Sequence, residues 1–308
     1  RLQRGSRTVA RLVAAVGVLL IVVIVVWQIA FQQALLSFVD RHRTPGGYGA
    51  PIKDTLAAAR RAADLAASED ASLIALLPGG DPRFDGPAAV FDVLLPPTDR
   101  RLIDGRKALV LPDQTAVYLC HPKASAAISV LDGTATELDH PLPLRTGGED
   151  RYRFFLREPG DFSLEHPVTD ARHWELLSAQ GQTSTVRLLS YAWDDGPRPG
   201  DTFHWTTSWR VDGPPPASID LHWFNHLVDE TGARWGQRDG AGLPVSDWRS
   251  GDTVVTWFEI PISADAPPPP YLVRTGLYTY PDVTNVPLID AAGNPAGQFL
   301  TLGPIDAP

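Results

Sequence analysis

Seven of the nine Trp lie between residues 193 and 257, and they are the side chains here best suited to chemistry. An exposed indole is a flat apolar surface with one N–H donor, so it stacks on sugar rings. The competing destination is a core. Trp205 and Trp209 alternate with Phe203, Thr207 and Val211, and Trp223 alternates with Ile219, Leu221, Asn225 and Leu227, as on half-buried strands. Trp235 and Trp248 stand among polar neighbours and are the candidate substrate-binding platforms.

Other constellations are weaker. His222 and His226 are four apart in a strand-like run. On a strand they share a face but lie ~13 Å apart, too far for one metal. Pro78-Gly79-Gly80-Asp81 follows a strand but lacks the Gly-Lys-Ser/Thr ending of a phosphate loop. No HExxH, Gly-x-Ser-x-Gly or Cys-x-x-Cys occurs. We therefore expect no catalytic residue, metal ligand or cofactor in these residues. Cys120 is the one cysteine, expected as a buried structural thiol.

Two kinds of element should position these side chains. Residues 51–70 read as an Ala-rich helix with Asp54 and Thr55 as caps and Ile52, Leu56, Ala59, Ala63 and Ala66 along one stripe. Short apolar runs at 72–77, 101–103, 108–111, 116–120 and 151–156 alternate with helical stretches at 87–95 and 122–131. That predicts an α/β domain over 45–160. A linker over 161–183 follows. Period-two runs then predict about seven strands and an all-β, immunoglobulin-like sandwich over 184–308, with Pro214–216 and Pro267–270 as rigid connectors. Arg198-Pro199-Gly200-Asp201-Thr202 and Arg249-Ser250-Gly251-Asp252-Thr253 each place Gly-Asp-Thr before a strand, which is turn chemistry.

Residues 12–31 are apolar except for Gln28. Twenty helical residues span the ~30 Å bilayer core. The run is longer than the ~7–15 apolar residues of a signal peptide, so a transmembrane helix with an extension, 12–39, is expected, broken by Thr44-Pro45-Gly46-Gly47. Four Arg precede it and two follow closely, which puts the basic flank 1–11 in the cytoplasm and the soluble domains outside a bacterial plasma membrane. Residues 44–308 carry 21 basic and 35 acidic side chains. That balance argues against nucleic acid as a partner. The chain starts with Arg and has no Met, as expected of a C-terminal fragment.

The chain resembles the C-terminal region of bacterial polytopic membrane glycosyltransferases of the dolichyl-phosphate-mannose-protein mannosyltransferase type (Chloroflexi type). The matching stretches are RHRTPGGYGAPIKD at 41–54, RLIDGRKALVLPDQTAVYL at 101–119, and, in the sandwich, RPGDTFHWTTSWRV, LHWFNHLVDETGARWGQRDG, DWRSGDTVVTWFEIPI and YLVRTGLYTY. The resemblance implies transfer of a sugar from a polyprenyl-phosphate carrier to a glycan or protein acceptor. It places the catalytic acids in an early loop that this stretch does not contain. This chain would then supply the last membrane helix and an accessory cap, not catalytic by itself. The alternative is a single-pass anchored surface protein whose sandwich binds carbohydrate or protein.

Overall fold

A computed structural model describes residues 2–42, 50–97, 100–177, 181–213 and 220–306. The chain divides into two compact units, 1–57 with 142–151, and 58–141 with 152–308. It consists of one long apolar N-terminal helix followed by a mostly β body with several sheets. The breaks expected at 44–47 and 214–216 lie outside the described residues.

In the first unit, α1 runs unbroken over Leu2–Arg41, so residues 2–11 of the basic flank are part of the same helix. Within its section Arg11–Arg41, an 18-residue window has a mean hydropathy of 3.0 and is 0 % buried. β-branched residues are poor helix formers in water, and an apolar surface on all sides has no aqueous partner. By length and composition this helix is a membrane anchor or a signal sequence. At its end Lys53 Nζ lies 2.6 Å from the Asp40 carboxylate and donates to Thr146 Oγ1 at 3.0 Å.

In the second unit, helix α2 (Ile52–Ser68) enters from the first. It starts earlier than Asp54, and Thr55 bonds back to the Pro51 carbonyl at 3.3 Å. The buried stripe is Thr55, Ala58, Ala59, Ala62 and Ala66, rotated from the expected one; Ile52 stays exposed.

Strand β1 (Ser72–Leu77) is buried at every residue, which is why it reads as a continuous apolar run. It pairs in parallel with β2 (Arg100–Asp104), and β3 (Ala108–Leu111) follows in sequence. It also pairs in parallel with β4 (Ala116–Cys120). With β5 (Thr136–Pro143) and β6 (Arg151–Arg157) the order is β2-β1-β4-β6-β5. Helices α3 (Gly86–Leu94) and α4 (Ser125–Thr134) bury Phe91, Ile128 and Leu131. Cys120 is fully buried, and desolvation pushes its thiol pKa up, as an inert structural cysteine requires.

One strand departs from expectation. β3 leaves the mixed sheet and forms the edge of a second sheet. This sheet contains β7 (His166–Pro167), β8 (His173–Leu177), β9 (Thr183–Trp193) and β10 (Thr202–Asp212). The segment 161–183, expected as a linker, thus contributes two strands, with Trp174 and Leu176 buried on β8. The third sheet holds β11 (Asp220–Val228) and β12 (Arg234–Gly240). β13 (Thr253–Pro261) belongs to the second sheet, between β10 and β3. The third sheet is completed by β14 (Tyr271–Tyr280), β15 (Thr284–Asn285) and β17 (Leu300–Ile305); β16 (Leu288–Ile289) pairs with β8. Indoles link the second and third sheets: Trp223 meets Trp174 at 5.2 Å and Trp209 at 5.4 Å. The Trp205 indole N–H donates to Asn225 Oδ1 at 3.2 Å, and Asn225 is completely buried.

The two Gly-Asp-Thr sites are matched turns. Gly200 and Gly251 have φ of 86° and 88°, and each following Asp N–H donates to the carbonyl of the Arg three residues earlier. A left-handed φ explains the glycine at both.

Candidate functional site

The two platform candidates lie in different settings. Trp248 is only 2 % exposed, packs on Trp209 at 4.9 Å and donates to the Leu243 carbonyl at 3.0 Å. It is a core residue and offers no face to a ligand. Trp235 is half-buried at the bulge of β12, and its indole N–H donates to Asp229 at 2.8 Å. Asp229 also accepts from Thr231 N and Oγ1 and from Ala233 N. These bonds, Thr231 and Trp235 foremost, lower its pKa to about 2. Trp235 is thereby a brace for the β11–β12 turn.

The outward face of the third sheet is the better site. On β11 the residues opposite the buried Leu221, Trp223, Asn225 and Leu227 are His222, Phe224 and His226. The ladder aligns them in rows: His222 with Tyr278, Phe224 between Asp239 and Gly276, and His226 between Gln237 and Arg274. A cleft of about 370 Å³ lies over these rows, with Arg234 and Phe299 at its margins. Gly276 makes the floor possible: a Cβ there would stand 2.5 Å from the Phe224 ring and 2.7 Å from the Gln298 carbonyl oxygen. Arg274 sits 5.2 Å over the Phe299 ring.

The polar groups of this face are partly committed. His226 Nε2 is 4.0 Å from the Asp239 carboxylate, and desolvation lowers its pKa, so it is neutral at pH 7. Burial raises the Tyr278 pKa, with Asp239 adding to it. His222 stacks flat on Tyr280 at 4.6 Å and lies 3.8 Å from Asp220. Both histidines lie on one strand, as the spacing implied, and among the described residues no group of three His, Cys, Asp or Glu is placed to hold a metal ion. Aromatic side chains flanked by fixed donors and acceptors can bind a ligand with apolar faces and hydroxyl edges. Sequence reading passed over Phe224, Arg274, Tyr278 and Phe299. The available signal was the outward set on β11: a wholly solvated strand face is seldom His, Phe and His.

A second cleft, of about 500 Å³, is bordered by Asp81, Asp85 and Asp104. These three carboxylates are already engaged. Arg83 holds Asp81 at 2.7 Å, Arg106 holds Asp104 at 2.8 Å, and Asp85 accepts from Asp81 N. Gly79, the first glycine of the Pro78-Gly79-Gly80-Asp81 turn, has φ of 122°, and the Asp85 carboxyl fills the space beside it. An anionic phosphate there would face these carboxylates, so the loop does not form a phosphate cradle.

An apolar helix of crossing length and a β-rich body fit a membrane-anchored protein. No family model matches the chain, and no curated protein matches it. Among solved structures, a β-glucuronidase from glycoside hydrolase family 2 aligns with 45 % of this chain and 13 % of its own, at 11 % identity and a TM-score of 0.23. A likeness that slight carries no argument about fold or activity.

Proposed function

We propose that this chain is a membrane-anchored accessory body that binds carbohydrate on the outward face of its third sheet and is not catalytic by itself. The observation that supports this best is the cleft on this face, where the exposed Phe299 stands beside the nearly buried Phe224 and Tyr278 and among Asp239, Gln237 and Arg274. Aromatic faces supply apolar contact to a pyranose ring, and the flanking polar groups supply direction. The stretches resembling polyprenyl-phosphate-dependent glycosyltransferases favour a role as the extracytoplasmic cap of such an enzyme, over its membrane helices. There it would hold a glycan or protein acceptor near the reaction.

Binding is tested with the full chain in nanodiscs of zwitterionic lipid on a glycan array. Retention of oligosaccharides that is lost on Phe299→Ala supports the reading, and an array with no signal refutes it. Orientation is tested with Glu230→Cys, placed in the exposed β11–β12 turn. A membrane-impermeant maleimide should label intact cells; labelling only after permeabilisation would put the body in the cytoplasm.

A further inference from the structure

We infer that the sugar bound on this face carries a carboxylate, held by Arg274 with Arg234 beside it. The inference rests on the carbohydrate reading above and specifies its ligand.

Charge is the first ground. The soluble body is acidic, yet this cleft gathers two guanidinium groups, Arg234 and Arg274, against one carboxylate, Asp239. His226 adds no charge at neutral pH, because desolvation lowers its pKa. One monoanion would bring the cleft to neutrality. A neutral sugar would leave one cation uncompensated, and a phosphate dianion would overshoot and face Asp239.

Geometry is the second ground. Arg274 Nε is buried and finds no hydrogen-bond partner among the described residues. That sealed Nε cannot reach a ligand, so contact with one in the cleft that Arg274 lines falls to the terminal nitrogens of the guanidinium. One face of the guanidinium is covered, and its end packs beside the backbone of the β11–β12 turn. The Phe299 ring lies under it, and Gly232 leaves it room, since a Cβ there would come within 2.8 Å of its terminal nitrogen. A planar fork fixed in this way matches a carboxylate with two parallel bonds, which a hydroxyl cannot return. The exposed part of Phe299 lines the same cleft and offers the ring of that sugar an apolar contact.

The experiment uses the full chain in nanodiscs of zwitterionic lipid. Oligosaccharides are offered in matched pairs, each hexuronate oligomer beside the neutral hexose oligomer of the same linkage, together with hexose 6-phosphates. The expected result is at least tenfold tighter binding of one or more hexuronate members over their neutral partners, weakened by raised NaCl. Arg274→Gln should bring acidic binding down to the neutral level, with the near-UV circular dichroism of the buried Trp unchanged. Arg234→Gln, at an exposed position, should weaken it less. Equal binding within the pairs overturns the carboxylate inference and leaves the carbohydrate reading standing. Preference for the phosphates over the hexuronates also overturns it. An array with no bound member overturns both.

Discussion

The Arg101 guanidinium and the Asp252 carboxylate meet 2.7 Å apart with side chains only 5 % and 3 % exposed. The pair joins β2 of the mixed sheet to the turn before β13 of the second sheet, where β3 also crosses over. Arg101 further donates to the Asp247 carbonyl, while its Nε has no partner among the described residues. Burial pushes Asp252 up and Arg101 down from their ordinary pKa values, so both charged forms are penalised by desolvation. A pair of this kind adds little net stability but is costly to break. Arg101→Met alone or Asp252→Leu alone should each lose about 3–5 kcal/mol, because one charge is left buried and unmatched. The double variant should recover most of that loss. Urea unfolding of the three variants checks it, and a fully additive double variant would contradict it.

The brace between Trp235 and Asp229 should be visible in its own titration. The lowered pKa of about 2 means the carboxylate's hold on the turn is complete above its ordinary value of 3.8 and is lost as pH falls through about 2. The Trp235 indole N–H resonance should therefore shift with a midpoint near pH 2, and Asp229→Asn should abolish the shift. A midpoint near 4 would mean that the bonds to Thr231 and Trp235 do not hold in solution.

How legible these features were in sequence differs by residue. Alternation in β10 and β11 marked Trp205, Trp209 and Trp223 for the core, and the structure buries all three. The same logic failed at Trp248, whose neighbours Asp247 and Arg249 suggested a surface. Those neighbours border the buried Arg101–Asp252 pair, so polar company there reflects an internal network. The sheet choice of β3 could not be read, because Ala108–Leu111 is buried throughout and four consecutive apolar residues suit either sheet. The outward face of the third sheet depends on cross-strand register. Only the ladder places Arg274, 48 residues downstream, beside His226.

Gly276 tests whether that face is built as described. Alanine there would place a methyl 2.5 Å from the Phe224 ring and 2.7 Å from the Gln298 carbonyl. The ring can swing away, but the backbone oxygen is fixed by the chain. Gly276→Ala should cost about 1–3 kcal/mol, as overpacking does, and should weaken oligosaccharide binding by displacing Phe224. Phe224→Leu in the same background should restore part of the stability without restoring binding. An unchanged melting temperature in Gly276→Ala would show that the strand relaxes without strain.

The anchor is tested by charge. Every described side chain from residue 11 to 16 and from 18 to 38 is exposed, and most are Val, Leu, Ile or Ala. In a bilayer that surface is matched; in water it is not. The full chain should stay in the membrane fraction through carbonate extraction, and its intact mass should include α1. Cleavage after the apolar run would instead identify a signal sequence. Arg costs about 2.5–3.5 kcal/mol at the centre of a spanning helix, so Leu20→Arg with Ile24→Arg removes about 5–7 kcal/mol from insertion. The double variant should move into the soluble fraction. Leu20→Ala with Ile24→Ala should stay in the membrane, because the loss there is one of apolar area with no buried charge.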